Sequence, residues 1–312
     1  MALKKIIYNL RRHPGESRDP AGLRITGIPA FAGMTAFLFI GVLFFTLTQI
    51  LPVHATDAPK ESAYARVMRT KTLKCGVMLW PPYFDADPNT GKIKGMIADI
   101  DNELAKMLDL KIDFVEITLG QQVEELNNGR VDAICNDGAY VFSAIKFVDY
   151  SKPLFLTPAS LYVRADDNRF KTPADLDDAK YSIAGIDGDG TLLLAERSIP
   201  KTRRISLPGS TDLASLFLNV TGGKADATIG DPLAVMNFNT NNKKGLKLLS
   251  KDAVAVYPTG FSVKKGEQEL LNMLNAGVDA LWNANVVQPI LKKYDPAGKA
   301  FYFAAKTYEV PR

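Results

Sequence analysis

One stretch of this chain occurs twice, and it constrains the fold more than any other feature. Residues Gly129-Arg130-Val131-Asp132-Ala133-Ile134-Cys135-Asn136-Asp137 and Gly223-Lys224-Ala225-Asp226-Ala227-Thr228-Ile229-Gly230-Asp231 share the glycine, the base, both aspartates and the alanine, 94 positions apart. A helical pattern precedes each copy, Val123 to Asn127 and Leu213 to Leu218, and ends at a glycine suited to a left-handed C-cap. A short strand follows and ends on a carboxylate. In open parallel α/β sheets ligands bind beyond the carboxyl ends of the strands, so the duplication predicts two lobes presenting Asp137 and Asp231 to a shared cleft. Two ordinary helix–strand units with surface aspartates fit the same pattern, and the rest of the chain has to separate the readings.

A length of 312 residues suits about two domains, and 46% hydrophobic with 23% charged residues is an ordinary globular balance. The net charge of +4 belongs to the first 55 residues, where Lys4, Lys5, Arg11, Arg12, Arg18 and Arg24 face only Glu16 and Asp19. The remainder is neutral, which gives no electrostatic footprint for nucleic acid or anionic lipid. Both histidines, His13 and His54, also precede residue 56. The body thus lacks the commonest general base and the commonest transition-metal ligand, and neither a catalytic residue, a metal nor a cofactor is expected.

The apolar run Ala36 to Ile50, followed by Leu51-Pro52-Val53-His54-Ala55, reads as the core of a secretory signal with cleavage after Ala55 and a mature start at Thr56. It is short for a membrane span, which needs about 20 apolar residues. Leaders normally run about 15 to 30 residues, so this one carries an excess. Pro14-Gly15-Glu16-Ser17-Arg18-Asp19-Pro20 with Gly27-Ile28-Pro29-Ala30-Phe31-Ala32-Gly33-Met34-Thr35 resembles a translated bacterial intergenic repeat element inserted ahead of the apolar run. Residues 1–55 are therefore set apart from the fold.

Tyr64 to Arg69 suits a helical turn, and Leu73 to Leu79 a buried strand. Trp80-Pro81-Pro82-Tyr83-Phe84 stops that strand, because its prolines cannot continue a central ladder. Phe84 is expected to cap the core, whereas Trp80 and Tyr83 beside the paired prolines suit a rigid stacking wall. Ile97, Ile100, Leu104, Met107 and Leu108 recur at helical spacing. Asp99 and Asp101 fall near the start of that helix, where its dipole favours negative charge and a structural role is expected. Lys111 to Ile117 supplies a second strand, and the first copy of the duplicated stretch completes a β-α-β-α-β run.

The succession Leu73-Lys74-Cys75-Gly76-Val77, Pro81-Pro82-Tyr83, Gly95-Met96-Ile97-Ala98-Asp99-Ile100, Gly129-Arg130-Val131-Asp132-Ala133 and Val148-Asp149-Tyr150-Ser151-Lys152-Pro153 resembles the bacterial family 3 solute-binding proteins, periplasmic receptors of polar amino acid ABC importers. The likeness runs in order over residues 66 to 305. It implies a two-lobed α/β fold of the type II periplasmic-binding-protein class, each lobe a mostly parallel sheet flanked by helices, joined by a two-strand hinge. The expected layout is residues 56–160 with 256–312 in one lobe and 161–255 in the other. A small polar ligand and an importer permease are the implied partners, and a monomer in the periplasm the implied state.

One departure bears on the ligand. Family members that bind α-amino acids carry an arginine four residues before the hydrophobic-Asp-aromatic-Ser segment, where it clamps the ligand carboxylate. Here that position is Ala144, or Ile145 with a shifted gap, and neither can hold an anion. Lys146 lacks the fork that matches a carboxylate and suits a solvated face. In the second lobe, Asp187-Gly188-Asp189-Gly190-Thr191 opens a helix whose exposed amides form an anion site, which the family uses for ligand carboxylates. Asp189 stands there either as an N-cap or as a carboxylate that fills the site and repels anions. No Lys follows Gly190-Thr191, which weakens a phosphate-loop reading.

The expected site is Trp80 and Tyr83 for stacking, with Asn136, Asp137, Asp189, Gly190, Thr191 and Asp231 as polar contacts; the family residue matching Asp231 binds the ligand's ammonium group. Three acids and no arginine point to a ligand bearing an amine rather than a free carboxylate. Two other functions fit the same scaffold: a periplasmic dehydratase, and the extracellular module of a sensor. The even cysteine pair invites a disulfide. Counted from the strand ends, however, Cys75 and Cys135 fall at different heights, which favours two buried thiols.

Overall fold

The computed structural model describes residues 61–138 and 144–303, the side chains of residues 136–138 excepted. The expected leader thus lies outside the described residues. The Ser62 hydroxyl accepts from the Ala65 N–H and starts α1 (Ala63–Thr70). Next come β1 (Thr72–Val77), a small hairpin of β2 (Asp85–Ala86) and β3 (Ile93–Lys94), α2 (Met96–Met107), β4 (Lys111–Glu116), α3 (Gln122–Asn128) and β5 (Ala133–Gly138). β1 lies between β4 and β5 and runs parallel to both.

After β6 (Val148–Tyr150), the ten-residue β7 (Phe155–Arg164) leads into a second unit of the same order: α4 (Pro173–Leu176), β8 (Ser182–Ile186), α5 (Thr191–Ser198), β9 (Arg203–Leu207), α6 (Leu213–Thr221) and β10 (Ala227–Gly230). Here β8 lies between β9 and β10, parallel to both. α7 (Pro232–Asn241) and β11 (Leu246–Leu248) precede β12 (Ala255–Lys264), and α8 (Gln268–Asn283) and α9 (Val287–Tyr294) pack back on α2. β7 and β12 run antiparallel from Phe155–Ala159 against Ala255–Thr259. Beyond that stretch β7 continues beside β10, and β12 continues beside β5. The strand order β4-β1-β5-β12-β7-β10-β8-β9 therefore joins two three-stranded parallel units through one pair of long strands. No helix among the described residues is long and apolar enough to cross a membrane.

The duplicated stretch explains why the two units match. Gly129 and Gly223 both take φ in the left-handed region, at 72° and 77°, as a helix end there requires. The first shared aspartate ties each new strand to its neighbour. The Asp132 N–H donates to the Lys74 carbonyl (2.9 Å), and the Asp132 carboxylate accepts from the Lys74 N–H (2.7 Å) and from Arg66 Nε (2.8 Å). In the second unit the Asp226 N–H donates to the Ser182 carbonyl (2.9 Å), and its carboxylate accepts from the Ser182 N–H (2.9 Å) and from Arg169 (2.7 Å). One aspartate per lobe thus sets the register of the last strand on the first.

This register corrects the expectation for the cysteines, which form a disulfide with Cα atoms 5.8 Å apart. With Lys74 tied to Asp132, Cys75 lies beside Ala133, and Cys135 is one same-face step further on. Counting from the strand ends misjudged their heights because β1 and β5 differ in where they stop.

The acids near the start of α2 separate. Asp99 pairs with Lys293 (2.8 Å) and accepts from the Tyr294 hydroxyl (3.0 Å), so it ties α2 to α9. Asp101 instead points into the core, fully buried with Met96, Ile97, Ile100 and Leu104. Asp99 stands in the first turn of α2, as expected, and adds an inter-helix tie, whereas Asp101 lies beyond that turn and is removed from solvent.

Asp132 is 3% exposed, whereas Asp226 is 20% exposed and its Arg169 partner is 45% exposed. Breaking a buried ion pair by removing one partner costs about 3–5 kcal/mol, and an exposed one about 1 kcal/mol or less. Asp132→Ala is accordingly expected to lower denaturant stability by about 3 kcal/mol, and Asp226→Ala by clearly less; equal losses would refute the difference drawn between the two anchors.

Candidate functional site

The first wall of the site is the turn after β1. Trp80 N–H donates to the Phe84 carbonyl (2.9 Å), and Tyr83 N–H donates back to the Trp80 carbonyl (2.8 Å), which closes the turn around a cis Pro81–Pro82 bond. The start of α2 holds the turn from behind: Met96 N–H donates to the Pro82 carbonyl (2.9 Å) and Ile97 N–H to the Tyr83 carbonyl (3.1 Å). Gly95 makes this approach possible. Its φ is +131°, and a Cβ there would collide with the carbonyl oxygens of Pro82 and Tyr83. Phe84 enters the core edge-on to Phe114 as expected. The Tyr83 ring is buried in a T-shaped contact with Phe301, and its hydroxyl reaches the site. Trp80 stays half-buried.

The opposite wall comes from the ends of β8 and β10. Asp231 is the N-cap of α7, with Pro232 in the first turn, and its Oδ1 accepts from the Ala234 N–H (2.8 Å). The same carboxylate accepts from the Tyr83 hydroxyl (2.8 Å) and Trp80 Nε1 (3.1 Å) across the gap between the lobes. A carboxylate offers about four lone-pair positions, so three are taken. Burial raises its pKa, although all three donors pull the other way. At the start of α5, Asp189 accepts from the Thr191 N–H (2.7 Å) and the Thr191 hydroxyl (3.0 Å). The N-cap of α5 is Gly190 rather than Asp189, which corrects that expectation; from one residue earlier, the Asp189 carboxylate takes up the Thr191 amide that a ligand carboxylate would use. Burial pushes its carboxyl from 3.8 up to about 6, with the Thr191 bonds only partly offsetting this.

A cavity of about 110 Å³ lies between these walls. Of the expected residues, Trp80, Tyr83, Asp189, Gly190, Thr191 and Asp231 line it. The side chains of Asn136 and Asp137 lie outside the described residues. Their strand borders the cavity, since Gly138 pairs with Thr259, which lines it. The lining also includes residues the sequence did not suggest, chiefly Gln122, Thr157, Tyr257 and Thr259. Thr157 and Thr259 share a hydroxyl–hydroxyl hydrogen bond of 2.9 Å between β7 and β12. Only the pairing of those two strands puts them at the site, and neither carries a local signal. Among the described residues, no lysine, arginine or histidine lines the cavity. Ala144 is buried in the core, and Lys146 is exposed with its ammonium 4.9 Å from the Phe147 ring.

A family model for bacterial extracellular solute-binding proteins, family 3, matches residues 73–297. The chain belongs to this family. The L-cystine-binding protein TcyA of Bacillus subtilis is 24% identical over 240 residues, covering 76% of this chain and 86% of the relative. A probable amino-acid ABC transporter-binding protein of Haemophilus influenzae is 27% identical over 217 residues, covering 69% and 81%. Among solved structures, the ancestral amino acid-binding protein AncCDT-1, a precursor of cyclohexadienyl dehydratase, superimposes with a TM-score of 0.65 at 24% identity, over 75% of this chain and 99% of its own. The fold is thus the two-lobed one that the sequence resemblance implied.

In this family 3 solute-binding protein the lobes also meet at the cleft rim, backbone to backbone. Gly188 and Gly120 take φ of +91° and +88°, and a Cβ on Gly188 would lie 3.1 Å from the Gly120 Cα. Gly188→Val is expected to leave both lobes folded, hold them apart, and weaken solute binding at least tenfold. Calorimetric titration and the small-angle scattering radius check this; wild-type affinity with an unchanged radius would refute it.

Proposed function

We propose that this chain captures a small, amine-bearing solute between its lobes and delivers it to an ABC importer. The observation that carries the reading is the charge of the cavity: two carboxylates, Asp189 and Asp231, with hydroxyls and aromatic groups around them and no basic side chain among the described lining residues. A free carboxylate entering it would lose water without gaining a cation, at a cost exceeding the roughly 1.5–3 kcal/mol of a charged hydrogen bond. An ammonium gains partners at both acids. The relatives described above, a cystine-binding and a probable amino-acid-binding protein, support a ligand of amino acid size.

Asn136 and Asp137 add polar contacts from the end of β5. The lobes comprise residues 56–160 with 256–312, and 161–255, turning on β7 and β12. The protein works as a monomer and is exported to the periplasm by a leader cleaved after Ala55. Binding rather than catalysis is favoured because both cavity acids are held by protein donors and no histidine follows residue 54. Incubation with prephenate or arogenate is therefore expected to yield no aromatic product.

Mass spectrometry of solute co-purified with the protein, followed by competition titration, tests the proposal. Small amines are expected to compete, and Asp231→Asn to weaken them about ten- to a hundredfold. Tight glutamate or aspartate binding with no affinity for amines would overturn it.

Acid titration gives two opposite slopes. Below pH 3.8 Asp189 is protonated in folded and unfolded chains alike, and its contribution to stability is intact. As pH rises from 3.8 to about 6 the unfolded chain releases its proton first, so the stability of the ligand-free protein falls across that window. Affinity for a permanently charged amine rises instead, as Asp189 ionises near pH 6. Asp189→Asn should reduce both slopes, and curves matching wild type would remove Asp189 from the charge of the cleft.

A further inference from the structure

The core face of α2 contains one group that its apolar pattern does not account for. Asp101 is fully buried, and among the described residues neither carboxyl oxygen has a hydrogen-bond partner. An unpartnered buried acid is a cost to the fold, and burial holds its carboxyl well above the usual range. Its neighbours are the sulfurs of Cys75 and Cys135: the two Sγ atoms and an Asp101 oxygen all lie within 4.8 Å of one another. Among the described residues this is the one such group of three. A disulfide has no proton to donate and leaves the acid unsatisfied.

Reduction changes the chemistry of the cluster. Two electrons from an external dithiol, itself oxidised to a disulfide, convert the Cys75–Cys135 bond into two thiols. These and the acid then form a donor set of two sulfurs and one oxygen. A zinc-class ion takes thiolate at about 2.3 Å and carboxylate at about 2.0 Å, which at tetrahedral angles separates the donors by roughly 3.5–3.8 Å. The cluster spans no more than 4.8 Å, and once the covalent bond is broken the two sulfurs have to move apart to reach that spacing. Cys135 also forms part of the cleft wall, which places the cluster next to the solute cavity.

We propose that Cys75, Asp101 and Cys135 form, in the reduced protein, a buried binding site for a thiophilic divalent cation of the zinc class. The disulfide is the closed, ion-free state of that site. Binding releases the two thiol protons and the carboxyl proton and satisfies the acid that the disulfide leaves without a partner. The absence of histidine from the body argues against an imidazole site only; two sulfurs and a carboxylate need none. The proposal does not depend on the identity of the solute.

The full chain is reduced with a dithiol, desalted without oxygen, and titrated with Zn(II) against a chromophoric chelator and with Co(II) for its sulfur charge-transfer band. One ion per reduced chain is expected, and at least a hundredfold weaker binding by the oxidised chain. Cys135→Ser should abolish the charge-transfer band. Asp101→Asn and Asp101→Leu, the second restoring an apolar face so that one folded variant is available, should each weaken binding at least tenfold. Equal binding by oxidised and reduced protein, no binding by the reduced protein, or wild-type affinity in a folded Asp101 variant would overturn the proposal. So would loss of the far-ultraviolet helical signal on reduction, since the site would then not exist without the covalent bond.

Discussion

The structure depends first on one carboxylate in each lobe that reads the edge of a neighbouring strand. Asp132 and Asp226 each accept the backbone N–H of the residue to which they donate their own, and each binds an arginine from another segment. A one-residue slip of β5 on β1, or of β10 on β8, would invert every side chain and leave a carboxylate and a guanidinium unpaired, so the register is held from both sides. Everything at the site follows from it. The strand ends that carry Asp137 and Asp231 stand where they do because these anchors, five residues earlier in each copy, fix the strands.

The cleft is made by chemistry that neither lobe holds alone. Trp80 and Tyr83 reach from a turn at the end of β1 to Asp231 at the start of α7, and Asp189 takes up the Thr191 amide at the start of α5. Burial makes ionised acids expensive, which sharpens the preference: a cation entering the cavity relieves the strain of two buried carboxylates, and an anion adds to it. The aromatic groups act here through their polar tips as much as their rings, since the Tyr83 hydroxyl and Trp80 Nε1 both donate to Asp231.

Much of this was legible in the chain. The helix periodicity from Ile97 to Leu108, the glycines that end α3 and α6, the prolines that stop β1, and the acid before Pro232 each announce local geometry through a backbone preference. Site residues with such a signature, Trp80, Tyr83, Asp189, Gly190, Thr191 and Asp231, line the cavity together. Thr157, Thr259 and Gln122 had none, because a threonine in a hinge strand looks like any threonine until its partner strand is known. The cysteines show the same limit, since their heights depend on a register that strand ends do not reveal.

By itself the sequence determined the duplication, the order of helices and strands, the neutral body and the surplus of acids over bases at the expected site, since these reside in periodicity, turn chemistry and composition. The tertiary structure alone decided which acids became partners and which became burdens: Asp99 found Lys293, Asp231 found two aromatic donors, and Asp101 found two sulfurs and, among the described residues, no donor. The physical reason is that a carboxylate's role is set by what lies within hydrogen-bond reach of it, and that reach is fixed by packing between segments far apart in the chain.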